Sequence, residues 1–468
     1  MSTLTTGSSI EFQRSAAGSA AAATQTAAIA ARLERLPMTS YQRGLFAIIA
    51  TAWFFDSMDL GALTFVLGPI RQSFGLSASE TGLLSSMSFL GMFLGAASAG
   101  LLADRFGRTR VFQVSMIFWG LGSILCGLSP TVQTLAAARI LLGFGMGMEF
   151  PVAQSMVSEM IPAGQRGRYI ALLEGFWPLG FIAAGLLSFA VLSFADWRWV
   201  FILQGIPAIF VLIVRRYVPE SPRWLASHGD AAGAERVMSE IEAKVSQRLN
   251  GAPLPAPQPE QVEPRTSQGL STLFSAGYRR RTIMLWCLWF FALLGFYGLT
   301  TWLGALLQAK GFPVTKSVYY TILISLAGIP GFLTAAWLIE AAGRKPTLIA
   351  ALLGAAISCY FYGGATAQTQ LIVAGLCMQF CAFGMWSALY AYTPELYPTH
   401  VRATGTGFAS AVGRIGSLIG PSVIGFILPT AGQSGVFALG AGAFTLAALV
   451  VLVLGEETRG RTLESISN

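Results

Sequence analysis

At 468 residues, with 54% hydrophobic and only 11% charged side chains and a mean hydropathy of +0.61, the chain has under half the charge of an ordinary globular protein. It reads as an all-α polytopic membrane protein, and its formal charge of +8 marks loop topology and contact with membrane lipids rather than nucleic acid. Five cysteines in apolar segments and two isolated histidines offer no metal site, the lack of a GxxxxGK[ST] loop excludes an ATP-driven pump, and nothing points to an enzyme or a cofactor.

In chain order, residues 1–40 are rich in Ala, Ser, Thr and Gln and read as a flexible cytoplasmic N-terminal tail. Apolar stretches near 45–69, 81–103, 111–128, 132–154, 167–193 and 197–217 predict six membrane helices and an N-terminal bundle over 41–225. Residues 226–280 are a polar cytoplasmic loop between bundles, with an amphipathic helix over 230–249 and an irregular linker over 251–264, which holds five prolines. Stretches near 282–308, 317–340, 347–367, 371–392, 405–428 and 434–455 predict a C-terminal six-helix bundle over 281–458, followed by a cytoplasmic tail at 459–468. Arginines crowd one set of loops, among them Arg105, Arg108, Arg166, Arg168, Arg215, Arg344 and Arg402, whereas the other set holds only Arg71, Arg198, Lys310 and Lys316. By the positive-inside rule both termini are cytoplasmic.

One spacing relates the halves. Asp104, Gly107 and Arg108 precede Glu340, Gly343 and Arg344 by a single fixed interval, close to half the length of the chain, and the same offset pairs Glu159 with Glu395, Arg166 with Arg402 and Glu220 with Glu456. A repeat this long is the duplicated architecture of a membrane carrier.

The stretches GLLADRFGRTR (100–110), RILLGFGMG (139–147), PESPRWL (219–225) and EETRG (456–460) resemble the motif set of the major facilitator superfamily. The resemblance implies two pseudo-symmetric six-helix bundles and a gating set comprising Asp104, Arg105, Gly107, Arg108, Arg139, Glu159, Arg166, Glu340, Arg344, Glu395 and Arg402. For Arg139 a scaffold role stands equally open. WFFDSMDLGALTFVL, MVSEMIPAGQRGRYIALLEGFWPLG, MWSALYAYTPELYPTHVRATGTG and GRIGSLIGP look like the bacterial niacin (nicotinate) transporters, and more distantly like aromatic-acid:proton symporters and organic-ion carriers.

The offset also separates scaffold from function. The charges inside spans, Asp56, Asp59, Arg139, Glu149, Glu174 and Arg414, all have uncharged mates at the repeat interval. A charge at mid-membrane costs roughly 2.5 to 3.5 kcal/mol on insertion scales, so these six must meet one another or a wet cavity. Asp56 and Asp59 are three residues apart on one helix face; both ionised they repel, so a proton site is the expected relief, with a pair hydrogen-bonded to a neighbouring span as the competing reading. Glu149 and Glu174 are the other candidates for proton coupling, or salt-bridged supports for Arg139.

Arg414 is the intramembrane cation of the C-terminal half. Its planar guanidinium suits a carboxylate substrate, with pairing to an acid across the bundles as the competing reading. Phe176, Trp177, Tyr297, Trp386 and Tyr390, with Trp53, Phe296 and Tyr392, supply rings on which a flat substrate can stack, while Trp302, near a span end, reads as an interface residue. The expectation is a monomeric twelve-helix carrier of the bacterial inner membrane that imports a small aromatic monocarboxylate, nicotinate, by proton symport and alternating access. Another aromatic acid, an organic cation, a sugar, facilitated diffusion or a non-transporting sensor stay open.

Overall fold

The computed structural model describes residues 25–257, 273–275, 277–397 and 399–459. A short helix, α1, runs over 25–34. Six long helices follow: α2 (Ser40–Phe74), α3 (Ala78–Phe106), α4 (Arg108–Leu128), α5 (Val132–Met160), α6 (Ala163–Leu192) and α7 (Trp197–Tyr217). Helices α8 (Pro222–Ser227) and α9 (Ala231–Arg248) lead to α10 (Arg279–Ala309), α11 (Val314–Ala341), α12 (Arg344–Gly364), α13 (Gln368–Glu395) and α14 (Thr399–Leu454). Eleven helices among the described residues are long and apolar enough to cross a membrane. At 56 residues α14 would reach about 84 Å, more than twice a hydrocarbon core of about 30 Å. Its helical path breaks at Gly432 (φ 61°, ψ −167°), so it makes two crossings and the total is twelve.

Local chemistry sets the ends. Thr39 and Gln42 cap the start of α2 and Ser77 and Glu80 that of α3, each by a reciprocal side-chain and backbone pair. The α3–α4 and α11–α12 corners turn on Gly107 (φ 98°) and Gly343 (φ 110°), a backbone region that side chains disfavour. At both corners the missing Cβ also admits a carboxylate onto the next helix N-terminus. Glu220 Oε1 accepts from Thr109 N at 3.1 Å, and Glu457 accepts from Arg344 N and Lys345 N at 3.0 and 3.1 Å. The residue that repeats Glu220 is thus Glu457, one position beyond the expected mate Glu456, which instead meets Arg281 at 3.1 Å.

Within each half, small residues allow close packing. Gly143 and Gly147 of α5 lie against Ser88 and Met92 of α3. The halves meet at the end away from the arginine-rich loops, where Gly82 of α3 abuts Pro421 and Gly425 of α14, Ser86 Oγ and Ser422 Oγ are 2.7 Å apart, and Phe189 packs on Tyr319. Trp302 belongs to this seam rather than to a lipid interface: it is fully buried and donates Nε1 to Pro421 O at 3.1 Å.

The expected flexible tail contains an ordered segment. Ile29, Leu33 and Leu36 pack on Ala234, Met238, Ile241 and Val245 of α9, and Arg32 and Arg35 both bind Glu242 at 2.6 Å. Glu34 Oε1 accepts from Arg166 and Arg223, each at 2.6 Å, which ties α1 to the start of α6 and to α8. Burial alone would raise the Glu34 carboxyl, but hydrogen bonds from these two arginines outweigh it and hold the group below its usual range.

Candidate functional site

Between the halves lies an open cavity that encloses about 610 Å³ of empty space. The N-terminal half contributes Trp53, Asp56 and Leu60 from α2, Met92 from α3, Phe150 from α5, and Glu174, Trp177 and Pro178 from α6. The C-terminal half contributes Tyr297 from α10, Phe332 from α11, Phe383, Trp386 and Tyr390 from α13, and Arg414 from α14.

The aromatic walls are locked by further rings. Trp386 and Tyr390, one turn apart, stack with centroids 5.5 Å apart and planes inclined by 25°. Trp289 meets both edge-on and donates Nε1 to Thr393 Oγ1 at 3.0 Å, while Phe296 stands edge-on to Trp386 at 5.4 Å. On the facing side Trp177 stacks on Phe181 at 5.6 Å.

Three charged side chains reach this space. Among the described residues the Arg414 guanidinium has no salt bridge and no hydrogen-bond partner, although Asp56 and Glu174 share the cavity wall with it. Glu174 Oε1 accepts from Gln154 Nε2 at 3.3 Å, and Asp56 Oδ1 is buried without a partner among the described residues. An unpaired guanidinium fork among fixed rings can receive a planar carboxylate in two parallel hydrogen bonds.

Of the residues expected at the substrate, Arg414, Trp177, Tyr297, Trp386 and Tyr390 come together here, whereas Phe176 turns away and packs edge-on against Phe46. Of the four acids, Asp56 and Glu174 line the cavity. Asp59 lies behind it, with Oδ1 2.7 Å from Ser123 Oγ of α4, and Glu149 accepts from Trp119 Nε1 at 2.6 Å. Arg139 is buried near Asp59 and the Cys126 thiol, its guanidinium 5.5 Å from the Phe201 ring centroid.

Six of the residues expected to gate form two matching clusters at the arginine-rich end. Arg108 meets Glu159 at 3.2 Å and Asp104 at 3.5 Å; Arg344 meets Glu395 and Glu340, each at 3.1 Å. Arg105 stacks on its neighbour Phe106, Arg166 binds Glu34, and the Arg402 side chain lies outside the described residues.

Sequence reasoning passed over Phe150, Phe332 and Phe383 as cavity walls. A signal existed for Phe150: it precedes Trp386 by the repeat interval, as Trp53 precedes Trp289. The Trp53–Phe150 contact at 4.8 Å is repeated as Trp289–Trp386 at 6.2 Å.

Two bundles joined at one end around a central cavity define a membrane carrier. Residues 15–468 match the family described as "Sugar (and other) transporter", and the chain belongs to that family. It is 38% identical over 446 residues to the "Niacin transporter NiaP" of Acinetobacter baylyi, covering 94% of this chain and 99% of that one. The "Putative niacin/nicotinamide transporter NiaP" of Bacillus subtilis is 36% identical, with 90% and 98% covered. The "4-hydroxybenzoate transporter PcaK" of A. baylyi is 29% identical, with 82% and 84% covered. Among solved structures, the inward-open xylose transporter XylE of E. coli superposes with a TM-score of 0.72 at 19% identity, covering 91% of this chain and 99% of that one. The fold is that of the major facilitator superfamily, twelve transmembrane helices in two pseudo-symmetric six-helix bundles, and the protein is a transporter rather than an enzyme.

Proposed function

We propose that the protein imports nicotinate across the bacterial inner membrane by alternating access, with its arginine-rich end and both termini in the cytoplasm. The observation that carries this reading is the Arg414 guanidinium, without a salt bridge or hydrogen bond among the described residues, beside the stacked walls of Trp386, Tyr390 and Trp177. A pyridine ring slots between such faces while its carboxylate meets the fork, and relatives named as niacin transporters support the choice of ring. With the halves joined at the far end, the arrangement is the inward-facing member of the cycle. Asp56 and Glu174 share the cavity with Arg414, so either can carry the coupled proton, while Asp59, Glu149 and Arg139 form a relay or support behind it.

The gating clusters hold neighbouring helices within each half through the rocking motion. The protein acts as a monomer, since one chain contains the whole cavity. Binding of nicotinate and nicotinamide to purified protein tests the substrate reading: nicotinate binds at least tenfold more tightly if Arg414 reads the carboxylate. Equal binding removes that role. The likeness to a 4-hydroxybenzoate transporter favours a benzoate-type acid as the second reading, and its displacement of bound nicotinate measures the preference.

A further inference from the structure

Beside the substrate cavity, α6 and α11 part to leave a second space of about 840 Å³. Its α6 wall includes Arg168, Leu172, Gly175 and Leu179, with Pro178 at one edge, and its α11 wall includes Ile329 and Leu333. The α6 residues recur every three or four positions and make one stripe. At about 100° per residue that stripe points roughly 150° away from the one carrying Glu174, Trp177 and Phe181, so the slot opens on the outer surface of the protein. Leu172 and Leu179 are each 45% exposed there and Leu333 is 63% exposed. In a membrane the solvent along this face is acyl chain.

We propose that this slot is a binding site for one anionic phospholipid, with the headgroup phosphate on Arg168 and an acyl chain laid between α6 and α11. Arg168 is exposed near the start of α6 and, among the described residues, has no ion pair or hydrogen-bond partner, so its cation is free for a phosphate. From Arg168 to Leu179 the slot runs about 16 Å along the helix, close to the depth of one leaflet of a core of about 30 Å. Arg168 is the one polar side chain among the described residues of the lining, which suits a ligand with a single charged end and a long apolar body. Gly175 leaves the floor open, since a Cβ built there meets nothing within 4 Å. Pro178 and Phe332 line both spaces, so the chain packs on the back of the substrate-cavity wall and seals it from the side. The site depends on the membrane fold and not on the identity of the substrate.

Native mass spectrometry of the full-length protein, released from detergent doped with dioleoyl phosphatidylglycerol or dioleoyl phosphatidylcholine, tests it. The wild type should retain one phosphatidylglycerol with at least tenfold preference over phosphatidylcholine. Arg168→Gln should reduce that preference to threefold or less, and Gly175→Phe, which fills the slot, should reduce retention of both lipids. Millimolar inorganic phosphate should displace neither lipid. Equal phosphatidylglycerol retention in the wild type and both variants would overturn the site, as would displacement by phosphate alone, which would leave only an anion contact at Arg168. Displacement by nicotinate would assign the slot to the substrate and overturn the lipid assignment.

Discussion

Phe150 and Trp386 occupy equivalent positions in the two halves of the duplicated chain, and both are walls of the same cavity. The duplicated scaffold therefore delivers a ring to each side of the site, and the charges placed on it are what break the symmetry. Pro178, the mate of Arg414, also lines the cavity, so one member of a repeated pair became a cation and the other did not.

Replacing Arg414 should weaken substrate binding while leaving the fold intact, because its guanidinium makes no salt bridge or hydrogen bond among the described residues. A charged hydrogen bond contributes about 1.5 to 3 kcal/mol, so Arg414→Ala should weaken nicotinate binding by roughly 10- to 150-fold. Arg414→Lys keeps the charge but loses the fork and should fall between. Calorimetric titration of monodisperse protein reads both variants.

The Trp386–Tyr390 stack should act through ring geometry. Trp386→Phe keeps a π face and should weaken binding only a few-fold, whereas Trp386→Ala also removes the support of Tyr390 and should weaken it by more than tenfold. Affinities that are equal for the two variants would mean that the stack is scaffold.

The seam at the closed end depends on the absence of a side chain at Gly82, where a Cβ would lie 2.7 Å from Pro421 O. Gly82→Trp should hold this end apart, abolishing uptake while preserving binding. Accessibility of a cysteine at Ser86, labelled in the variant but protected in the wild type, reports the change.

The α1 clasp should be acid-labile. Glu34 and Glu242 are both held below the ordinary carboxylate value of 4.5; burial opposes this, but bonds from Arg166 and Arg223, and from Arg32 and Arg35, outweigh it. A lowered folded pKa stabilises above about pH 4.5 and loses that contribution as pH falls through the lowered value. Hydrogen exchange in 25–34, corrected for intrinsic rate, should accelerate below pH 4.5, and Glu34→Gln should raise exchange several-fold at neutral pH and reduce the acid dependence to the part contributed by Glu242.

Much of the site was legible because a charge or a stacked pair of rings inside an apolar span is conspicuous. Arg414, Glu174, Trp177, Trp386 and Tyr390 were found that way. Helix periodicity reached its limit at Asp56 and Asp59: residues three apart differ by about 60° around the helix, enough among twelve packed helices to place one in the cavity and the other on Ser123. Phe332 and Phe383 were invisible because an apolar ring in an apolar span carries no mark of which side it faces. The α1 helix was obscured by its Ala-rich flank, although Ile29, Leu33 and Leu36 are spaced for one face and Arg32 and Arg35 match the acids of α9. Glu457 displaced Glu456 as the corner cap because the last helix of the C-terminal half ends at Leu454, one residue beyond the repeat of Tyr217, a shift that a fixed offset cannot detect.

The most direct measurement is uptake of labelled nicotinate into liposomes containing the purified protein, with and without an inward proton gradient. Saturable uptake, accelerated by the gradient and lost in Arg414→Ala, is the expected result. Liposomes that take up no more nicotinate than protein-free vesicles, with gradient or without, would contradict nicotinate import.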